Sequence, residues 1–285
     1  MKFKSGLLAL VFCTSQLIGL ANNSASAVLN GEIQKANPWT VAITIQSGSK
    51  ILLCSGVLVE TTTVMTAKHC VVDAKGQISP KILINAPGNN YTFPPTDAME
   101  QQLVSKVVLV PEEPTKQVPD EADVAFLKFS QPFKEFSLPE IATPDQIAQL
   151  KTWSIIKGYG YGAVGETNSN YSKELRQYDL SWGNDDHNRQ LNVVLIASAS
   201  SIGCSGDSGG PITAFLDEKR EVLIGIAASI INQGSNGCAQ RDLNQLYFEN
   251  FNLVYPYIGL QNPKVVPPKP TKVTKAARKP VIKKK

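Results

Sequence analysis

The sequence predicts an all-β fold, built as a sandwich or as barrels, on three observations. Short runs rich in β-branched and aromatic residues recur along the chain. Turns rich in Gly, Pro, Asn and Ser separate them. Helical patterns are confined to two short stretches, residues 144–150 and 251–260.

Taken in order, residues 40–45 and 51–60 form a hairpin pattern around Ser47-Gly48-Ser49. Strand-like runs follow at 81–85, 103–110 and 124–129, with turn-rich pieces at 86–90 and 111–119 between them. Residues 131–150 are punctuated by proline and read as a connection between halves. The second half repeats the β character at 152–157, 175–181, 191–197, 211–215, 221–231 and 246–248, interrupted by polar stretches at 158–170 and 181–188. Residues 251–260 are expected to close the domain as a short helix.

At 285 residues the chain has enough apolar material for one large or two small cores. Its charge is uneven. Residues 261–285 carry eight Lys, one Arg and no acid, and with these, Lys2 and Lys4 set aside, the formal charge of +4 becomes −7 for residues 28–260. A tail of Lys, Pro, Val and Thr without aromatics cannot build a core and is expected to be disordered. Its charge suits either a solubilising extension or docking to an anionic surface. At the other end, Lys2 and Lys4 precede an apolar run from Leu7 to Leu20 and the small-residue site Ala25-Ser26-Ala27. This is the pattern of an export signal over residues 1–27, and the run is too short for a spanning helix. A secreted or periplasmic protein follows.

Signal removal takes Cys13 with it and leaves Cys54, Cys70, Cys204 and Cys238. An even number in an exported chain reads as two disulfides with three connectivities available, and proximity along the chain favours Cys54–Cys70 and Cys204–Cys238. No Cys-x-x-Cys spacing occurs and only two histidines are present, so neither metal nor cofactor is expected.

The chemistry centres on Gly203-Cys204-Ser205-Gly206-Asp207-Ser208-Gly209-Gly210-Pro211. Ser208 stands among residues too small to shield it, and the glycines permit the amides of Gly206 and Ser208 to converge on one oxyanion. By itself the stretch could equally be a surface turn. A base is needed. His187 lies in the polar run Asn184-Asp185-Asp186-His187, which reads as a solvated loop, whereas His69 follows an apolar run and precedes Cys70. Asp123, at the mouth of the apolar run Val124-Ala125-Phe126-Leu127, is the candidate orienting acid. No His follows Ser208, which excludes the α/β-hydrolase order, and no Asp precedes His69, which excludes the subtilisin order. The order His69, Asp123, Ser208 survives.

These residues resemble the trypsin-like, chymotrypsin-fold serine proteases over residues 28–260. Thr66-Ala67-Lys68-His69-Cys70 resembles the family's Thr-Ala-Ala-His-Cys, Asp123-Val124-Ala125-Phe126-Leu127 its Asp-Ile-Ala-Leu-Leu, and Gly158-Tyr159-Gly160 its Gly-Trp-Gly. Gly206-Asp207-Ser208-Gly209-Gly210-Pro211 matches its serine motif without change. The resemblance implies two six-stranded antiparallel β-barrels, residues 28–140 and 141–260, with the site between them. It implies a catalytic triad of His69, Asp123 and Ser208, an oxyanion hole at Gly206 and Ser208, and a monomer acting on protein or peptide substrates. A protease-fold binding protein without activity, or an esterase, is the alternative.

In this family a new amino terminus pairs with the Asp before the catalytic serine. Val28-Leu29-Asn30-Gly31 begins at the expected signal cleavage point, which implies an activation pair of Val28 and Asp207, with Asn30 in place of the usual glycine. The resemblance puts Ile202 at the base of the S1 pocket, with Ile230 and Gln245 where glycines are usual. No acid stands at the base, so cleavage after Arg or Lys is not expected. The serine that usually supports the catalytic Asp is not assignable, because Ala228 stands at its position and Ser229 one residue later.

Overall fold

The computed structural model describes residues 31–34, 37–88, 93–96, 99–110, 122–164, 171–182, 192–197, 202–231 and 247–259. Fourteen strands occur among them: β1 (Glu32–Ile33), β2 (Thr40–Ser47), β3 (Lys50–Glu60), β4 (Thr63–Thr66), β5 (Lys81–Asn85), β6 (Gln101–Leu103), β7 (Lys106–Leu109), β8 (Ala125–Lys128), β9 (Ile155–Gly160), β10 (Arg176–Trp182), β11 (Asn192–Ala197), β12 (Pro211–Phe215), β13 (Glu221–Ile231) and β14 (Tyr247–Leu253). Two single-turn helices accompany them, α1 (Lys68–Val71) and α2 (Pro144–Ala148). The chain is all-β, and each half curls into an antiparallel barrel.

The first barrel runs β6-β5-β2-β3-β4-β8-β7. Its end strands are two pieces of one: at the joint Val104 donates its amide to Ile82 and Ser105 donates to Lys128, so the split strand bridges β5 and β8. Six strands are thereby closed into a barrel. The second barrel runs β10-β11-β14-β13-β12-β9, and β9 pairs back onto β10, with β1 added outside β10. Both counts agree with the expected six.

Period-two alternation explains the cores. Val41, Ile43, Ile45, Leu58, Val64, Ile82, Ile84 and Leu127 fill the first barrel. Ile156, Tyr178, Ile212, Ile224, Phe251 and Leu253 belong to the second. A third cluster joins them: Val57, Met65 and Phe126 of one barrel meet Leu223, Ile226, Val254 and Tyr257 of the other. The interface between barrels is thus itself a hydrophobic core, which fixes their relation.

The β2–β3 hairpin turns at Gly48, whose φ of 60° is the left-handed value such a turn needs. The short helix expected at 144–150 is α2, and Thr143 and Gln146 complete a capping box at its start. The helix expected over 251–260 does not form as such. Residues 251–253 extend β14, because Phe251 and Leu253 alternate inward between β11 and β13, and the chain then turns through 254–259. A pairing partner on each side outweighs the local pattern. Three elements were not anticipated as such, β1, β4 and the single turn α1, and the run expected at 103–110 divides into β6 and β7. The signal segment, the basic tail and His187 lie outside the described residues.

Candidate active site

Strand β4 ends at Thr66, and α1 turns the chain so that His69 emerges half exposed between the buried residues Ala67 and Cys70. The Cys54–Cys70 disulfide ties this turn to β3. Asp123 leads into β8, the neighbour of β4. Its Oδ2 lies 2.6 Å from His69 Nδ1 and its Oδ1 accepts the His69 amide at 2.8 Å. One carboxylate therefore grips both the ring and the backbone of one histidine.

The electrostatics match this geometry. Burial pushes the Asp123 carboxyl upward, but the hydrogen bond and charge of the His69 imidazole, with the amides of His69 and Lys68, hold it below the usual carboxylate range. The donors to the carboxylate come from the histidine segment itself. The position left unassigned in the sequence lies at an irregularity of the strand: Ala227 pairs with Phe251 and Ser229 with Asn250, so Ala228 is the extra residue of a bulge. The buried Asn252 donates from Nδ2 to the Asp123 main-chain carbonyl at 3.5 Å. Sequence reading missed it by assigning residue 252 to a helix.

Ser208 lies on the loop that enters β12. Its carbonyl oxygen accepts the Ser55 amide at 2.9 Å and sits 3.7 Å from Cys70 Sγ, and the same sulfur lies 3.9 Å from His69 Nε2. The loop bearing the serine and the ring bearing the base therefore meet over one cysteine. Gly206 and Gly209 have φ of 99° and 80°, and a Cβ on Gly209 would fall 2.1 Å from Thr66 Oγ1 and 2.5 Å from the Ser55 carbonyl. Only glycine fits there.

Asp207 points the other way. It is 2% exposed, with Oδ1 accepting from the Gly162 amide and Oδ2 from the Cys204 amide, both at 2.7 Å. A Cβ on Gly160 or Gly162 would lie 2.1 or 2.4 Å from its carboxylate. The Gly-Tyr-Gly singled out in the sequence therefore meets the serine segment through Gly160, and through Tyr159, whose carbonyl would lie 2.1 Å from a Cβ on Gly210. Gly162, two residues further on, joins the same contact. Gly158 instead lies under the ring of Tyr178, its cross-strand partner.

Ile202 is completely buried and belongs to the core of the second barrel. Ile230 lies on β13, with its side chain outside the described residues, as are Gln245, Cys238 and Val28 altogether. Cys204 is disulfide-bonded. Among the described residues, Cys54, His69 and Cys70 gather ligand-type atoms, but the two sulfurs are bonded to each other and offer no thiolate.

The family model described as Trypsin matches residues 30–252. Vitamin K-dependent protein C of Rattus norvegicus is 30% identical over 207 residues, covering 66% of this chain and 43% of that protein. Tissue-type plasminogen activator of Rattus norvegicus is 30% identical over 239 residues, 74% of this chain and 40% of that protein. Chymotrypsin-like elastase family member 1 of Macaca fascicularis is 28% identical over 250 residues, 80% of this chain and 89% of that protein. The solved structure described as "Structure of GrC" superposes with a TM-score of 0.61 at 18% identity, over 81% of this chain and 96% of that one, a likeness of fold alone. The fold and the family match define a chymotrypsin-fold serine protease class. The chain belongs to the trypsin family, and it spans less than half the length of the protein C and plasminogen activator that it matches.

The His69–Asp123 contact carries a pH dependence whose sign follows from the lowered carboxyl. A folded-state pKa below the unfolded value of about 3.9 favours the ionised form in the fold. The stabilisation is complete above that unfolded value and fades as pH falls through the folded one. Asp123→Asn is expected to be less stable than the parent at neutral pH, and the gap should narrow below about pH 4, as read by urea unfolding across pH.

Proposed function

We propose that this chain is a secreted serine endopeptidase that hydrolyses peptide bonds through an acyl-enzyme. The observation that carries the reading is the double grip of Asp123 on His69 beside the loop of Ser208. A carboxylate bonded to Nδ1 keeps the proton on that nitrogen and leaves Nε2 free to act as a base. Ser208 Oγ attacks the scissile carbonyl while His69 Nε2 takes its proton. The amides of Gly206 and Ser208 stabilise the oxyanion, a contribution of about 3 to 4 kcal/mol for a single donor in such sites. The imidazolium then protonates the leaving amine, and water, activated by the same base, releases the acid.

Removal of residues 1–27 frees the Val28 ammonium to pair with Asp207. The reading is supported by the depth of Asp207, since a buried carboxylate is stabilised by a paired cation. It is also supported by the anchoring of the amino-terminal segment, where Arg176 donates to the Gly31 carbonyl at 2.9 Å and β1 pairs with β10. Amino-terminal sequencing of the active exported protein should begin at Val28, and a different start would remove this step from the account.

The apolar Ile202, enclosed by core residues, offers no charge to a basic side chain. A preference for small or medium uncharged residues before the scissile bond follows. Incubated with a peptide library, the exported protein should cleave after such residues. Ser208→Ala should lose turnover by a factor of about 10⁶ and remain folded. Parental rates from that variant would refute the assignment, and strong Arg or Lys selection would refute the pocket.

A further inference from the structure

Ser55, the residue after Cys54, is fully buried on β3 of the first barrel and bonds through its hydroxyl and its amide into the machinery of the second. Its hydroxyl donates to the Gly206 carbonyl at 2.9 Å and accepts the Tyr161 amide at 3.0 Å. Its amide donates to the Ser208 carbonyl at 2.9 Å. Its carbonyl accepts from Thr66 Oγ1 at 2.8 Å, three residues before His69. Ser55 thus bonds the oxyanion glycine through its hydroxyl and the nucleophile's carbonyl through its amide.

We infer that Ser55 is the positioning residue of the oxyanion hole: its hydroxyl fixes the Gly206–Asp207 peptide by its carbonyl and thereby limits, across Gly206, how far the preceding Ser205–Gly206 peptide can turn its Gly206 amide away from the developing oxyanion. This rests on the protease reading given above. Gly206, at φ 99°, has no side chain to limit rotation of its peptides. A carbonyl pinned from outside fixes the peptide on one side of Gly206 and narrows the freedom of the one that carries its amide, and a fixed donor is what makes an oxyanion hole effective without reorganisation. The Tyr161 amide makes the pin directional. By donating to Ser55 Oγ it occupies a lone pair and leaves the hydroxyl proton to Gly206. Tyr161 adjoins Gly162, which in turn bonds Asp207. The Ser55 hydroxyl thus links the segment that follows β9, whose Gly162 bonds Asp207, to the Gly206 carbonyl of the oxyanion turn.

The test compares the full exported parent with Ser55→Ala. Thr213→Val serves as a control, since it also removes a buried hydroxyl, one of two that donate to Glu221 Oε1. An alanyl nitroanilide peptide gives kcat and KM. The matching peptide aldehyde, whose hemiacetal oxygen occupies the oxyanion position, gives affinity for a tetrahedral adduct. Ser55→Ala should lower kcat by about 10- to 100-fold with KM changed less than about threefold, and weaken the aldehyde by a similar factor. Thr213→Val should leave kcat within about twofold at a comparable loss of stability. If Ser55→Ala does not fold, Ser55→Cys, of similar shape and a much poorer donor, is read in its place. An unchanged kcat, or an equal fall in Thr213→Val, overturns the role of Ser55. A parent with no turnover that depends on Ser208 would instead overturn the protease reading, and this inference with it.

Discussion

The site depends on the closeness with which two barrels meet at Gly209. There the serine loop lies against the Ser55 carbonyl, the Thr66 hydroxyl and the Ala67 amide with no room for a Cβ. The Ala67 amide begins the turn that presents His69, so the distance between base and nucleophile is set by backbone contact. The hydrophobic cluster shared by β3, β4 and β8 with β13 and the chain after β14 holds that contact shut. Large apolar residues supply the force, and a glycine sets how close it may bring the chains.

Two carboxylates at this seam have opposite surroundings. Asp123 is partly open and bonded to an imidazole and to amides of the same segment, so its negative charge is directed at one ring. Asp207 is buried, and of its two amide partners one, Gly162, comes from the segment after β9 and the other, Cys204, from its own loop. The first arrangement orients a base, while the second ties the loop to the floor of its barrel. Adjacent in sequence to Ser208, Asp207 faces away from the cleft, because the Gly206 and Gly209 conformations let the chain reverse around it.

Much of this was legible where chemistry and sequence are local. The runs flanked by turns gave nearly every strand, and His69, Asp123 and Ser208 stood out by residue type and chain order. What escaped notice depends on partners distant in the chain. Residues 251–253 read as helix because a seven-residue strand with two neighbours looks locally like an amphipathic stretch. The bulge at Ala228 is a property of pairing with β14 and has no signature of its own. In the repeat Gly158-Tyr159-Gly160-Tyr161-Gly162 the two Gly-Tyr-Gly units share Gly160, and that Gly162 also packs against Asp207 has no local signature. Ser55 is an ordinary small residue beside a cysteine, and its bonds span more than a hundred residues.

The central claim is that the fold makes one hydroxyl, that of Ser208, an activated nucleophile. An uncharged peptidyl phosphonate tests it directly, since the ester reacts with a serine only where a base removes the proton and an oxyanion site receives the phosphoryl oxygen. Incubated with the exported protein and mapped by mass spectrometry of its peptides, the reagent should leave a single adduct, on Ser208, which His69→Ala prevents. A folded, exported protein that gains no adduct at Ser208, or gains it as readily without His69, would contradict the account.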